Sequence, residues 1–274
     1  MALESIAEAS LAVASDRHEK AVATLGPAVR PIYRATNLGN PDHEGSCVLV
    51  ELNRSRYMVT ASHVIEAGRI EYSELYVGGE KIFVRISGET WRTQAPDGVR
   101  KDPYDFAIWK LSDDVVQNLG DVVYIGSENM SFGQTSSSGH VYSIIGFPNT
   151  RNESIDREQW IASSKPWSYF SVARDGTDAA RTMGVDGENH IFIGFDKYSR
   201  DSQGRKVKSI SPRGVSGGAV IDLGNLGDPH SLAPDARFTP RLVAIFIEYR
   251  KTYKVTVATK LGLILKAVEA GQHR

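Results

Sequence analysis

Cysteine is nearly absent: Cys47 stands alone in 274 residues, so no disulfide can form within the chain. Small secreted domains commonly depend on such cross-links, and their lack points to a reducing compartment. Long apolar runs are missing too, with no window near the roughly 18 consecutive apolar residues of a membrane-spanning helix. Neither sign of charge dominates, because 32 basic side chains face 33 acidic ones and leave a formal net charge of -1. Nucleic-acid binders usually carry a concentrated basic excess, so that class is not expected. The opening Met1-Ala-Leu-Glu-Ser lacks the basic start of a secretory leader. A cytoplasmic protein is the expectation. The seven histidines are scattered and none pairs with Cys47 at ligand spacing, so neither a metal nor a cofactor is expected.

What is present suits a globular chain with a sizeable core, since 41% of the residues are hydrophobic. Leu3, Ile6, Leu11, Ala14, Val22 and Leu25 recur at a loose helical period, and Gly26-Pro27 closes that helix. From Val29 onward the texture is β: short β-branched and aromatic runs separated by Gly, Asn, Asp and Pro. Strands are expected at 29–34, 46–52, 56–60, 74–77, 81–86 and 105–111, then at 140–147, 165–172, 189–195, 218–222, 241–248 and 253–258. Between the sets, 112–139 holds a short helix near Asp113–Leu119 and the run Ser136-Ser137-Ser138-Gly139, a domain boundary. Leu261, Ile264, Leu265 and Val268 give a closing helix. The organisation expected is therefore a helical extension (1–28), a first β unit (29–130) and a second β unit with the closing helix (131–274), while 87–104 and 173–188 read as long loops. Cys47 reads as a small core residue.

Three segments carry chemistry. In Tyr57-Met58-Val59-Thr60-Ala61-Ser62-His63-Val64 a strand runs into a turn bearing His63, whose imidazole can take and return a proton near neutrality. In Asp105-Phe106-Ala107-Ile108-Trp109-Lys110-Leu111 an aspartate precedes a buried strand, where its carboxylate needs a donor such as an imidazole N–H. In Ser211-Pro212-Arg213-Gly214-Val215-Ser216-Gly217-Gly218, glycines let Ser216 sit exposed on a tight turn, with the N–H groups of Gly214 and Ser216 converging as an oxyanion hole. Alone, the first two also fit a structural histidine and a strand-initiating aspartate, and the third a plain hairpin turn.

Together, and in the order His63, Asp105, Ser216, these segments resemble the chymotrypsin-like (trypsin-like) serine peptidases of the bacterial, disulfide-free type. Gly146-Phe147-Pro148 after a strand is a further family-like element, and the resemblance covers roughly residues 29 to 270. It implies an all-β fold of two six-stranded antiparallel β-barrels, flanked here by an N-terminal and a C-terminal helix. It also implies a serine endopeptidase acting on protein or peptide substrates, with His63, Asp105 and Ser216 catalytic and Gly214 and Ser216 forming the oxyanion hole. Ile210, Phe246 and Ile247 would border the substrate pocket and favour an uncharged, apolar side chain, while Arg213 at the rim would favour acidic neighbours.

The chain departs from the pattern at Val215, where many secreted members carry Asp or Asn, and no activation-cleavage motif precedes the first strand. Two rivals stand beside this reading. An α/β-hydrolase would place its acid and histidine after the serine, where only His230 and His273 remain. A catalytically silent scaffold of the same fold would bind peptide or protein partners without turnover. Oligomeric state has no signature in the sequence.

Overall fold

The computed structural model describes residues 6–35, 41–66, 75–79, 82–98, 101–133, 138–151, 155–156, 161–162, 164–200, 205–233 and 236–272. Helix α1 (Ile6–Leu25) buries Ala14, Arg17, Ala21 and Leu25, and Pro27 opens a 3-10 turn that ends it. Then come β1 (Val29–Ala35), β2 (Pro41–Leu52), β3 (Ser55–Thr60), the short α2 (Ser62–Glu66), β4 (Leu75–Gly78), β5 (Phe83–Arg85), β6 (Gly88–Arg92) and β7 (Ala107–Leu111). These strands form one antiparallel sheet in the order β5-β4-β1-β2-β3-β7-β6. Helix α3 (Asp113–Leu119) follows, the Ser112 hydroxyl accepting from the Val115 N–H at its N-terminus.

The second half holds β8 (His140–Gly146), a minimal hairpin of β9 (Ile155–Asp156) and β10 (Ile161–Ala162), β11 (Trp167–Val172), α4 (Thr177–Met183) and β12 (His190–Gly194). A second hairpin pairs β13 (Tyr198–Arg200) with β14 (Lys206–Lys208), and β15 (Ala219–Asn225), β16 (Arg241–Arg250), β17 (Val255–Lys260) and α5 (Leu261–Gln272) complete the chain. The main sheet here is six-stranded, in the order β11-β8-β15-β16-β17-β12.

The first sheet has seven strands where six were expected. Its extra member, β6, lies in the stretch read as a loop and sets Thr90 and Trp91 against Trp109 and Ile108 of β7. Gly88-Glu89-Thr90-Trp91-Arg92 carries one apolar side chain and no buried residue. An edge strand of this kind lacks the alternation that betrays a strand in sequence. Helix α4 sits in the other expected loop; it buries only Ala179 and stops at Gly184 in the left-handed conformation. The strand expected from Asp105 starts at Ala107. The Ser136-Ser137 part of the expected boundary, and residues 74 and 81 of two expected strands, lie outside the described residues.

Val48, Val50 and Val59 of the first sheet join Ile145, Ala219 and Ile221 of the second, with Leu261 and Ile264 of α5, in one buried cluster. Burying each Val, Leu or Ile side chain contributes about 1.5–3 kcal/mol, so the two sheets are held by a shared core. Helix α1 lies on β8, β11 and β15, whereas α5 packs on β16 and β17 and reaches β6 of the other sheet. Among the described residues, no helix is long and apolar enough to cross a membrane.

Candidate active site

His63 stands where β3, buried from Tyr57 to Thr60, passes into α2. Asp105 comes from the chain just before β7 and has φ +45°, a conformation uncommon outside glycine and asparagine or aspartate. That turn aims its carboxylate back at α2: one oxygen accepts from the His63 backbone N–H at 2.9 Å, the other faces His63 Nδ1 at 2.6 Å. The Asp105 carbonyl accepts from the Ser62 N–H at 3.1 Å. With Nδ1 donating, the neutral ring keeps its lone pair on Nε2. Burial opposes the imidazolium, but the hydrogen bond and charge of Asp105, helped by Glu248, outweigh it and raise the His63 pKa above its ordinary value.

The Asp105 segment is held from several sides. Thr93, just beyond β6, takes the Phe106 N–H on its hydroxyl at 3.0 Å and contacts Asp102, while its carbonyl accepts from the Ser62 hydroxyl at 3.0 Å. From the second sheet, His190 Nε2 meets the Pro103 carbonyl at 2.9 Å and the Thr259 hydroxyl donates to the Tyr104 carbonyl at 2.6 Å.

Ser216 lies on the glycine-rich turn before β15 and lines, with His63 and Asp105, one cavity of about 620 Å³. Its hydroxyl donates to the Ile247 carbonyl at 3.2 Å, so the line of three is not closed in this conformation. The Val215 N–H closes a turn onto the Pro212 carbonyl at 3.0 Å, and Gly214 has φ +90°. Positive φ at the third residue makes this a type II turn. The Arg213 carbonyl accepts from the Asn149 N–H at 2.9 Å. Because a trans peptide sets N–H opposite C=O, the Gly214 N–H faces away from Asn149. Among the described residues, neither that N–H nor that of Ser216 is taken by another backbone group. A Cβ on Gly214 would lie 1.9 Å from Asn149 Oδ1, and one on Gly217, at φ +88°, would lie 1.9 Å from the Ser46 carbonyl oxygen. Both positions therefore require glycine.

Ser46 of β2 clamps this turn from the first sheet. Its N–H donates to the Ser216 carbonyl at 2.8 Å, and its hydroxyl donates to the Gly214 carbonyl at 3.0 Å while accepting the Phe147 N–H at 2.9 Å. Ser46, Thr93 and Asn149 escaped the reading of the sequence. Nothing in a lone Ser, Thr or Asn marks the carbonyl it will meet, although Gly45-Ser46 beside the sole cysteine is a glycine-permitted close approach.

Of the expected pocket residues, Phe246 and Ile247 line the cavity, along with Met183 and Val185. Ile210 instead packs against the apolar cluster of Trp167, Phe195 and Val215. The walls are also more charged than expected. Glu248 pairs with Lys101 from the opposite side at 3.2 Å and with Arg250 at 3.0 Å, and Arg213 stands at the rim.

Two curled antiparallel sheets of seven and six strands, with a helix at each end, have the fold of the chymotrypsin-like serine proteases. The VesB protease of Vibrio cholerae superposes with a TM-score of 0.52 at 11% identity, over 88% of this chain and 63% of that one. The HtrA-type protease AlgW with tripeptide gives 0.49 at 17% identity, over 92% of this chain and 62% of AlgW. Rv3671c of M. tuberculosis, a serine-to-alanine mutant in an inactive form, gives 0.48 at 11% identity, over 91% and 89%. The chain thus spans less than two thirds of the VesB and AlgW chains. No protein-family model matches the sequence, and no curated protein matches it.

Proposed function

We propose that this chain is a serine endopeptidase, with Ser216 as nucleophile, His63 as general base and Asp105 as the residue that orients the ring. The observation that carries this reading is the 2.6 Å contact of Asp105 with His63 Nδ1, in a cavity that Ser216 also lines. It leaves His63 Nε2 as the acceptor on the side where a nucleophile is needed.

In the reaction, Ser216 Oγ leaves the Ile247 carbonyl by rotation about χ1 and hands its proton to Nε2 while bonding to the scissile carbonyl carbon. The carbonyl electrons move onto oxygen, which the Gly214 and Ser216 N–H groups receive. Collapse of the adduct breaks the C–N bond, and the imidazolium returns its proton to the leaving amine. Water then bonds to the acyl carbon as the same ring takes its proton; the bond from that carbon to Ser216 Oγ breaks, and the imidazolium returns the proton to Oγ. Phe246, Ile247, Met183 and Val185 support an uncharged, apolar side chain at the cleaved position.

Ser216→Ala tests the assignment: peptide hydrolysis is expected to vanish while the folded signal persists, and undiminished turnover would overturn it. The bond from Ser216 to Ile247 favours one other reading, a silent scaffold that binds extended peptides in the same groove. In that case wild type and Ser216→Ala would bind a peptide library alike, and neither would cleave it.

A further inference from the structure

A second cavity, of about 510 Å³, opens where α1 crosses β15 and the segment leading into β16; it shares no wall residue with the Ser216 cleft. Arg17, Arg237, Arg241 and His230 line it. Arg17 is only 7% exposed: it donates to the Leu223 carbonyl at 2.8 Å and the Ser231 carbonyl at 2.6 Å, lies over the Phe238 ring, and feels the charges of Asp16 and Asp222. The one carboxylate in this wall among the described residues, Asp222, is already engaged, accepting from His140 Nδ1 at 2.9 Å and the Gly224 N–H at 2.8 Å. Arg237 and Arg241 have no carboxylate partner among the described residues.

We propose that this cavity binds the phosphoryl group of a small soluble ligand. Guanidinium forks match phosphate oxygens two at a time; the exposed Arg237 and Arg241 supply such forks, while Arg17, held by its two carbonyls, adds positive charge to the wall. The volume exceeds that of a bare phosphate ion and leaves room for an organic moiety. This site stands apart from the reaction proposed at Ser216.

Isothermal titration of the full chain with inorganic phosphate, AMP and adenosine tests the proposal. Saturable binding of phosphate and AMP, but not of adenosine, is expected; AMP tighter than phosphate identifies an ester as the ligand, and equal affinities identify the free ion. Arg237→Ala with Arg241→Ala, both at exposed positions, should weaken binding at least about tenfold. Lys206→Ala with Lys208→Ala, a basic pair that does not line the cavity, should leave it unchanged. No saturation below about 10 mM, adenosine binding as well as AMP, or equal loss in the lysine control would each overturn the proposal.

Discussion

Lowering the pH should loosen the helix that opens the chain, and His18 is the reason. Its Nδ1 lies 2.8 Å from the Ser143 hydroxyl and its Nε2 3.1 Å from that of Ser168, with the ring against Phe170. Burial pushes its pKa from 6.5 down to about 4. Both serines can accept as well as donate, so protonation need not break either hydrogen bond; the cost is the desolvated charge. Below pH 6.5 the unfolded chain takes a proton that the folded chain refuses, and stability falls until about pH 4, where both states are protonated. One pKa unit corresponds to about 1.4 kcal/mol, so His18 withdraws roughly 3–4 kcal/mol across that window and nothing above it. Urea unfolding at pH steps from 8 to 4, on wild type and His18→Gln, isolates this contribution from those of His43 and His190, which burial also lowers. The stability difference between the two proteins should stay flat above pH 7 and shift by that amount toward pH 4, to the detriment of wild type. Parallel curves over the whole range would refute the reasoning.

Asp105→Asn should keep the fold and lower kcat for peptide hydrolysis by on the order of 10³–10⁴, short of the full loss in Ser216→Ala. Because His63 must be neutral to accept a proton and Asp105 raises its pKa, the acid limb of kcat/KM should fall above pH 6.5, and a limb below that value would argue against the pairing. Gly214→Ala forces a Cβ onto Asn149 at a left-handed φ; hydrolysis should fall on the order of 10²-fold or more because the residue 214 N–H is displaced from its position in the turn, checked against thermal unfolding of the same variant. Ser46→Ala removes a bond to the Gly214 carbonyl and leaves the Phe147 N–H without an acceptor, so a stability loss of about 1–3 kcal/mol is expected in chemical unfolding.

The order of elements was largely legible because the strongest sequence signals, β-branched runs broken by glycine and aspartate, coincide with strands buried on the core face. Thus β8, β12, β15 and β16 start within one residue of their expected positions. The signal failed where packing supplies what periodicity lacks: β6 is a half-exposed edge strand, and α4 is seven residues long with one buried side chain. In the cleft, His63, Asp105 and Ser216 stood out because their neighbours carry turn and strand chemistry. The supports did not, since Ser46, Thr93 and Asn149 work through backbone groups brought near only by folding. Ile210 was placed by position relative to Ser216, and the pull of the Trp167–Phe195 cluster on its side chain has no trace in the sequence.

The most direct test of the central claim is covalent labelling of the folded chain with a fluorophosphonate, mapped by peptide mass spectrometry. A single adduct on Ser216 is expected in wild type and none in His63→Ala, because the hydroxyl needs Nε2 to receive its proton. Folded wild-type protein that yields no adduct, or one that His63→Ala labels equally, would contradict it.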